Sequence, residues 1–490
     1  MSVRSPRPAL ALTLLAASSL AACAVGPTYH RPAAATPTAF KETEGWTPAI
    51  PEDQVDRGDW WTVFNDLVLN DLEQKVAISN QNLAEAEAAY RQAHALVVED
   101  RAAYFPAIDL TAGTDKSHAG GGNSGSGQTT TSTGATVVGS RSSTTTTYQA
   151  QLGATWEPDV WGRIRRTVEG AKASAQASAA DIANAKLSAQ SELAADYLQL
   201  RLADAEKALL GETVDAYARA LQITQNKYAA GVAARSDVLQ AQTSLDGAKA
   251  SLIDLDITRT QNEHAIAVLT GQPPADLTIA AIPSWTPQAP TTPEIVPSVL
   301  LQRRPDIAAA ERLAASANAQ IGVQAAGYFP TIDLSASYGF ESAALGSLFK
   351  ASDALWSLGG DATQLVFDGG ATHAKVVGAR AAYDQAVATY RQTVLTAFQQ
   401  VEDALSADRV LQNEQPARLA ASQEADQAEQ ILLNEYRAGT VDYTSVVTAE
   451  ATALANRQTL LSLEVQRMTT QVTLIEALGG GWSTGELPKS

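Results

Sequence analysis

The chain has 490 residues, 45% of them apolar but only 6% aromatic, so small side chains, alanine above all, must carry its packing. That composition favours helices set close together over a core of bulky rings. A formal net charge of −18 argues against nucleic acid as a partner, and a single cysteine excludes an internal disulfide or a cysteine-based metal cluster.

At the N-terminus, Arg4 and Arg7 precede an Ala/Leu-rich run that closes on Leu20-Ala21-Ala22-Cys23. Residues 1–22 read as a secretory signal with a small-residue cleavage site. The closing tetrad resembles the lipobox of bacterial lipoproteins, which implies a covalent lipid on Cys23 as the first mature residue. Ala24 in place of an Asp then implies export to the outer membrane. No later stretch approaches the roughly 18 apolar residues of a transmembrane helix, so spanning a membrane would require strands.

From residue 66 the chain repeats one plan twice. "AAYFPAIDL" from Ala102 returns as "AGYFPTIDL" from Ala326, "NKYAAGVAARSDVLQAQ" as "NEYRAGTVDYTSVVTAE", and "EPDVWG" as "LVFDGG". Two copies are too few for a solenoid. The first repeat, 66–271, reads as a helix from about Asp66 to Ala103, ended by Pro106, and a strand over 104–115. A Gly/Ser/Thr-rich solvent loop covers 116–147. A strand over 148–158, a long helix over 163–228 and a helix over 232–270 follow. A Pro-rich crossover, 272–297, leads into the second repeat, 298–479. That repeat reads as a helix, strands over 328–340 and 355–367, a long helix over 371–436 and a helix over 440–478, with 480–490 as a tail.

The strands alternate. Tyr148, Ala150, Leu152, Ala154 and Trp156 share one face, and Gln149, Gln151, Gly153, Thr155 and Glu157 the other. In the second repeat Ile332, Leu334, Ala336, Tyr338 and Phe340 alternate with Asp333, Ser335, Ser337 and Gly339. The last strand changes phase, with Trp356 and Leu358 even but Leu365 and Phe367 odd, which predicts a bulge at Gly359-Gly360. Tyr104, Phe105, Trp156, Tyr328, Phe329 and Trp356 stand near strand ends, where aromatics suit a membrane interface.

Such alternation fits a lipid-exposed strand around a wet lumen, and equally a half-buried soluble sheet. The export signal favours the first. Four strands cannot close a barrel, and an open edge in lipid leaves backbone groups unpaired at several kcal/mol each. The chain must then pool strands with copies of itself, and three protomers would supply twelve.

Between Arg163 and Tyr228 there is no proline, and Gly170 and Gly211 are the only glycines. At ~1.5 Å per residue such a helix reaches roughly 100 Å, a length that calls for coiled-coil-like packing. Leu193, Tyr197 and Leu200 carry the required spacing. Pro416 is expected to kink the second long helix or mark a side element.

Nothing points to catalysis. Gly120 to Gly125 matches G-x-G-x-x-G, but inside low complexity with no helix behind it. The five histidines are scattered, so no catalytic residue, metal or cofactor is expected beyond the lipid.

"CAVGPTYHRP", "WEPDVWGRIRR", "LLQRRPDIAAAERLAASANAQIGVQAAGYFPTIDL", "LVFDGG" and the two glycine turns resemble, in order and over nearly the whole chain, the TolC-like outer-membrane factors of tripartite efflux pumps, in their NodT-type lipoprotein branch. The resemblance implies a mixed α and β membrane protein: a homotrimer with a twelve-stranded barrel continued by a helical coiled-coil periplasmic tunnel. Residues 23–65 and 272–297 would then contribute to an equatorial belt. It implies a passive conduit for small molecules in the outer membrane, among its lipid, docked through a periplasmic adaptor to an inner-membrane transporter of RND type. It also implies that the helix turns gate the tunnel and meet the adaptor, which places Tyr228, Gly231, Asp237, Tyr436, Gly439 and Asp442 at the candidate gate. The chain departs from the family pattern after the second turn glycine, where Val441 stands in place of a charged residue. Two other readings stay open: a lipid-anchored periplasmic helical scaffold or adaptor, and a conduit for type I protein secretion.

Overall fold

The computed structural model describes residues 24–37, 40–42, 59–119, 129–130, 136–137, 143–290 and 303–488. The signal, Cys23, most of the Gly/Ser/Thr-rich loop and the end of the crossover lie outside these. The chain divides into two compact units, residues 1–30, 94–172 and 315–384, and residues 31–93, 173–314 and 385–490.

The first unit holds a four-stranded antiparallel sheet. Its strands are β1 (Ala107–Ala119), β2 (Ser143–Trp156), β3 (Thr331–Ser342) and β4 (Ala354–Thr363), paired in that order. A two-residue ladder, Thr129–Thr130 with Thr136–Val137, lies in the connection between β1 and β2.

The strand boundaries correct the sequence reading. Tyr104 and Phe105 do not belong to β1, because their amides donate to the carbonyls of Arg101 and Ala102 at 3.1 and 3.0 Å. Tyr328 and Phe329 do the same toward Ala325 and Ala326. Both strands start only after the proline, which has no amide to give to a ladder. The fourth strand has no bulge: Gly359 faces Ser335 and Gly360 faces Leu334 in unbroken register. It ends at Thr363, so Leu365 and Phe367 never enter it and their odd phase sets nothing.

Each long helix starts on a repeated aspartate. The Asp159 carboxylate accepts the amides of Ile164 and Arg165 at 2.9 and 3.0 Å, at the head of the 67-residue helix that follows. Asp368 accepts those of Gly370 and Thr372 at 2.9 and 2.7 Å, at the head of a 68-residue helix; the Thr372 side chain first, then these amides, hold its carboxyl down at about 2.

The second unit is helical. Its elements are α1 (Leu67–Ser79), α2 (Gln81–Ala102), the long α3 (Arg163–Ala229), α4 (Arg235–Leu269), α5 (Pro305–Ala326), the long α6 (Ala371–Ala438) and α7 (Tyr443–Ala477). Four of these helices, α2, α3, α5 and α6, run through residues of both units.

The single opening helix expected from Asp66 to Ala103 is broken at Asn80. This residue takes an extended conformation, its side-chain amide donates to the Leu269 carbonyl at 2.8 Å, and its Oδ1 accepts the Leu83 amide at 3.0 Å. Asparagine thus ends one helix and caps the next. Helix α6, by contrast, continues through Pro416, which marks no separate element.

Leu193, Tyr197 and Leu200 are buried with Trp60, Leu69, Val76, Ile266 and Val472 in one core cluster. Beside it lies a buried ion network. Arg201 donates to the Tyr197 hydroxyl, to Asp204 and to the Ala280 carbonyl at 2.9, 2.9 and 2.8 Å. Arg259 reaches Asp204 and the Ile279 carbonyl at 2.7 and 2.6 Å. The crossover is thereby fastened to α3 and α4 through its backbone, while its Ile279 side chain is buried in the core cluster.

Candidate functional site

Cross-strand register decides what the sheet can do. Leu110 faces Leu152, Leu152 faces Tyr338, and Tyr338 faces Trp356, so one apolar face runs across all four strands. Ala112, Ala150, Phe340 and Ala354 form the next row. The opposite face is mainly polar: Thr111, Gln151 and Gly339 form one row, which ends on Leu355, and Asp109, Gly153, Ser337 and Ser357 form another. Ile108, Leu110, Leu152, Tyr338, Trp356 and Leu358 are exposed to the surroundings. Exposed apolar side chains on one face and polar ones on the other match lipid outside and water inside.

The aromatic residues expected at the interface occupy both ends of this sheet. Trp156 donates from Nε1 to the Tyr104 carbonyl at 3.1 Å. Tyr328 lies 3.4 Å from His373 Nδ1, and Phe329 stacks on Trp161 with centroids 4.8 Å apart. Trp356, 71% exposed, belongs to the other end, beside the β3–β4 turn.

In the second unit two helix turns carry the remaining candidates. Gly231 has φ +73° and Gly439 φ +83°. Nothing lies within 4 Å of a Cβ built on either, so backbone conformation rather than space requires glycine there. Each glycine amide returns to the preceding helix, to Tyr228 O at 2.9 Å and Tyr436 O at 3.1 Å.

The two aspartates serve the helix beyond each turn, from opposite directions. Asp237 sits inside the first turn of α4 and reaches back, accepting the Ala234 amide at 3.3 Å. Asp442 precedes α7 and reaches forward, accepting the Ser445 amide and hydroxyl, both at 2.9 Å, which lowers its carboxyl pKa. The two repeats thus deliver a carboxylate to the same kind of helix start from different sequence positions.

The tyrosines are not equivalent. Tyr228 is 48% exposed, whereas Tyr436 is 4% exposed and donates to Thr224 Oγ1 at 3.1 Å. Lys227 Nζ lies 3.8 Å from the Tyr436 ring centroid and also donates to the Tyr436 carbonyl. Behind them Tyr443 and Tyr217 pack in a cluster with Val446. Glu450, on the next turns of α7, is pushed up to about 7 by burial and by Glu429. Lys227, Thr224, Tyr443 and Glu450 were missed in the sequence; Lys227 and Tyr443 alone carried a signal, as neighbours of the candidates Tyr228 and Asp442. Among the described residues no group of His, Cys, Asp and Glu could hold a metal, and no helix is long and apolar enough to cross a membrane.

The family model for outer membrane efflux proteins matches residues 72–272 and 296–480. The chain belongs to the outer membrane efflux protein family. It is 30% identical over 481 residues to the outer membrane protein OprJ of Pseudomonas aeruginosa, covering 96% of each. It is 28% identical over 470 residues to the antibiotic efflux pump outer membrane protein ArpC of Pseudomonas putida, covering 94% of this chain and 93% of that one. A solved structure of the outer-membrane channel OprN aligns with TM-score 0.84 and 31% identity, covering 94% of this chain and all of that one.

As a family member the protein is a non-enzymatic channel of the outer membrane that extends into the periplasm and serves efflux. The exposed apolar sheet face is then its lipid surface and the polar face its passage.

Proposed function

We propose that this protein is the passive outer-membrane conduit of a tripartite pump, exporting small molecules such as drugs and other toxic compounds. It works as a homotrimer whose three four-stranded sheets close one twelve-stranded barrel, with Cys23 acylated in the membrane. A periplasmic adaptor joins it to an inner-membrane transporter of RND type, which supplies the energy. The observation that carries this reading is the sheet itself: among the described residues β1 and β4 are unpaired edges beside an exposed apolar face. Such edges tolerate lipid only when other copies pair with them. The small-molecule cargo is supported by the antibiotic efflux pump named for ArpC.

At the helix turns, Asp237 and Asp442 hold the helix starts, and Tyr436 ties α6 to α3; Tyr228 presents an exposed ring to the adaptor or to a neighbouring protomer. Purified trimers in planar bilayers should give discrete conductance steps. Repeated silence from folded trimers would sink the conduit and favour a periplasmic scaffold. Asp237→Ala should increase the leak of large solutes through trimers without an adaptor; unchanged leak and conductance would remove Asp237 from the gate.

A further inference from the structure

Ala24–Pro27, the stretch directly after the lipidation position, is held more closely than a tether needs. The Val25 amide donates to Trp161 O at 3.0 Å. Arg166 donates from Nε to Val25 O and from Nη2 to Gly26 O, both at 3.2 Å, while Glu169 steadies its Nη1 at 2.8 Å. The buried Asn318 donates to Pro27 O at 3.1 Å. Three successive carbonyls are therefore each taken by a side chain from α3 or α5.

Backbone meets backbone in the same place. Gly26 has φ +106°, and a Cβ on it would lie 2.4 Å from Gly322 Cα. A Cβ on Gly322 would lie 2.8 Å from Val25 O, and one on Gly162 2.7 Å from Ala24 Cα. Any side chain at these glycines would push the segment out.

The holding site also reaches the second repeat. Trp161 donates from Nε1 to Pro330 O at 2.8 Å and stacks on Phe329. Gly370 occupies the matching position of the "LVFDGG" copy, so that copy has no indole to offer. Phe105, the counterpart of Phe329, is 73% exposed against 37%. The doubled chain thus builds one such site per protomer among the described residues.

We propose that Trp161, Arg166, Asn318 and Gly322 form a dock that fixes where the Cys23 lipid enters the membrane, at the turn between β2 and α3, and so couples acylation to barrel assembly. The proposal rests on the acylation of Cys23 stated above. A free linker of n residues spreads over about 5–6 Å × √n. Here two peptide bonds separate the acylated residue from Val25, the first hydrogen-bonded residue of the docked stretch, so the acyl chain and the strand rim are held at one depth. Tethering of this kind raises the effective concentration of strands at the membrane without any new contact.

The test uses the full-length chain, a clickable palmitate analogue, and heat-resistant trimer recovered from outer membranes. Arg166→Gln and Gly322→Val, both remote in sequence from the signal, should label like wild type yet lose about tenfold in trimer. Gly26→Val changes only the docked segment and should behave alike, which separates the dock from failed helix packing. In a Cys23→Ala background the same substitutions should cause no further loss. Undiminished trimer with normal labelling overturns the dock, as does a loss that persists without the cysteine. A wild-type chain that takes no label overturns instead the acylation beneath it.

Discussion

Glu73 stands on the inner face of α1 between Leu69, Leu72 and Val76, fully buried, with no hydrogen-bond partner among the described residues for either carboxylate oxygen. Burial pushes its pKa up from 4.5 to about 9. The folded state therefore holds this carboxyl protonated at pH values where the unfolded chain ionises it. Its contribution is fully present below pH 4.5 and falls by about 1.4 kcal/mol per pH unit until the folded value is passed. Glu73→Leu should raise the melting temperature of the helices, more at pH 8 than at pH 5, in thermal scans at both values. Equal gains at the two pH values would show that the carboxyl is ionised in the fold. Gly231 and Gly439 were legible in the sequence because their role is local: a left-handed turn needs only the next few residues. Asp159 and Asp368 were visible there only as parts of a repeated phrase, and their capping role came from the structure. The contrast between Tyr228 and Tyr436 was not, since burial is decided by which helix lies opposite.

For the strands, alternation along the chain marks the two faces, but only pairing shows that the faces join. The ladder aligns Leu110, Leu152, Tyr338 and Trp356 in one row from four separate stretches of chain. A slip of one residue in any pair would put polar side chains into lipid. Leu152→Lys should accordingly cost about 2–4 kcal/mol of insertion near mid-membrane. Gln151→Lys, one residue away on the other face, should leave insertion intact and shift ion selectivity. Both are measurable as outer-membrane trimer yield and reversal potential, and equal losses of trimer would contradict the assignment of faces. The expected bulge at Gly359-Gly360 failed because periodicity was carried past the end of the strand. The break at Asn80 was hidden because its cause, the Leu269 carbonyl, lies far along the chain.

At the scale of the molecule, a channel built from several sheets places every protomer's polar face on one lumen. Trimers reconstituted from mixed wild-type and Gln151→Lys protomers should show discrete intermediate conductance levels; two levels alone would mean that each protomer forms its own pore. Repetition, signal, alternation and proline-free length determined much from the sequence alone: exported, twice-built, part strand and part long helix, with no catalytic site. Each of these is written in local order, in residues a few positions apart. The tertiary structure decided where the strands end, which tyrosine is buried, and how Val25, Trp161 and Pro330 come to one junction. Those outcomes depend on hydrogen bonds between residues far apart in the chain, and no periodicity records which distant carbonyl an amide will find.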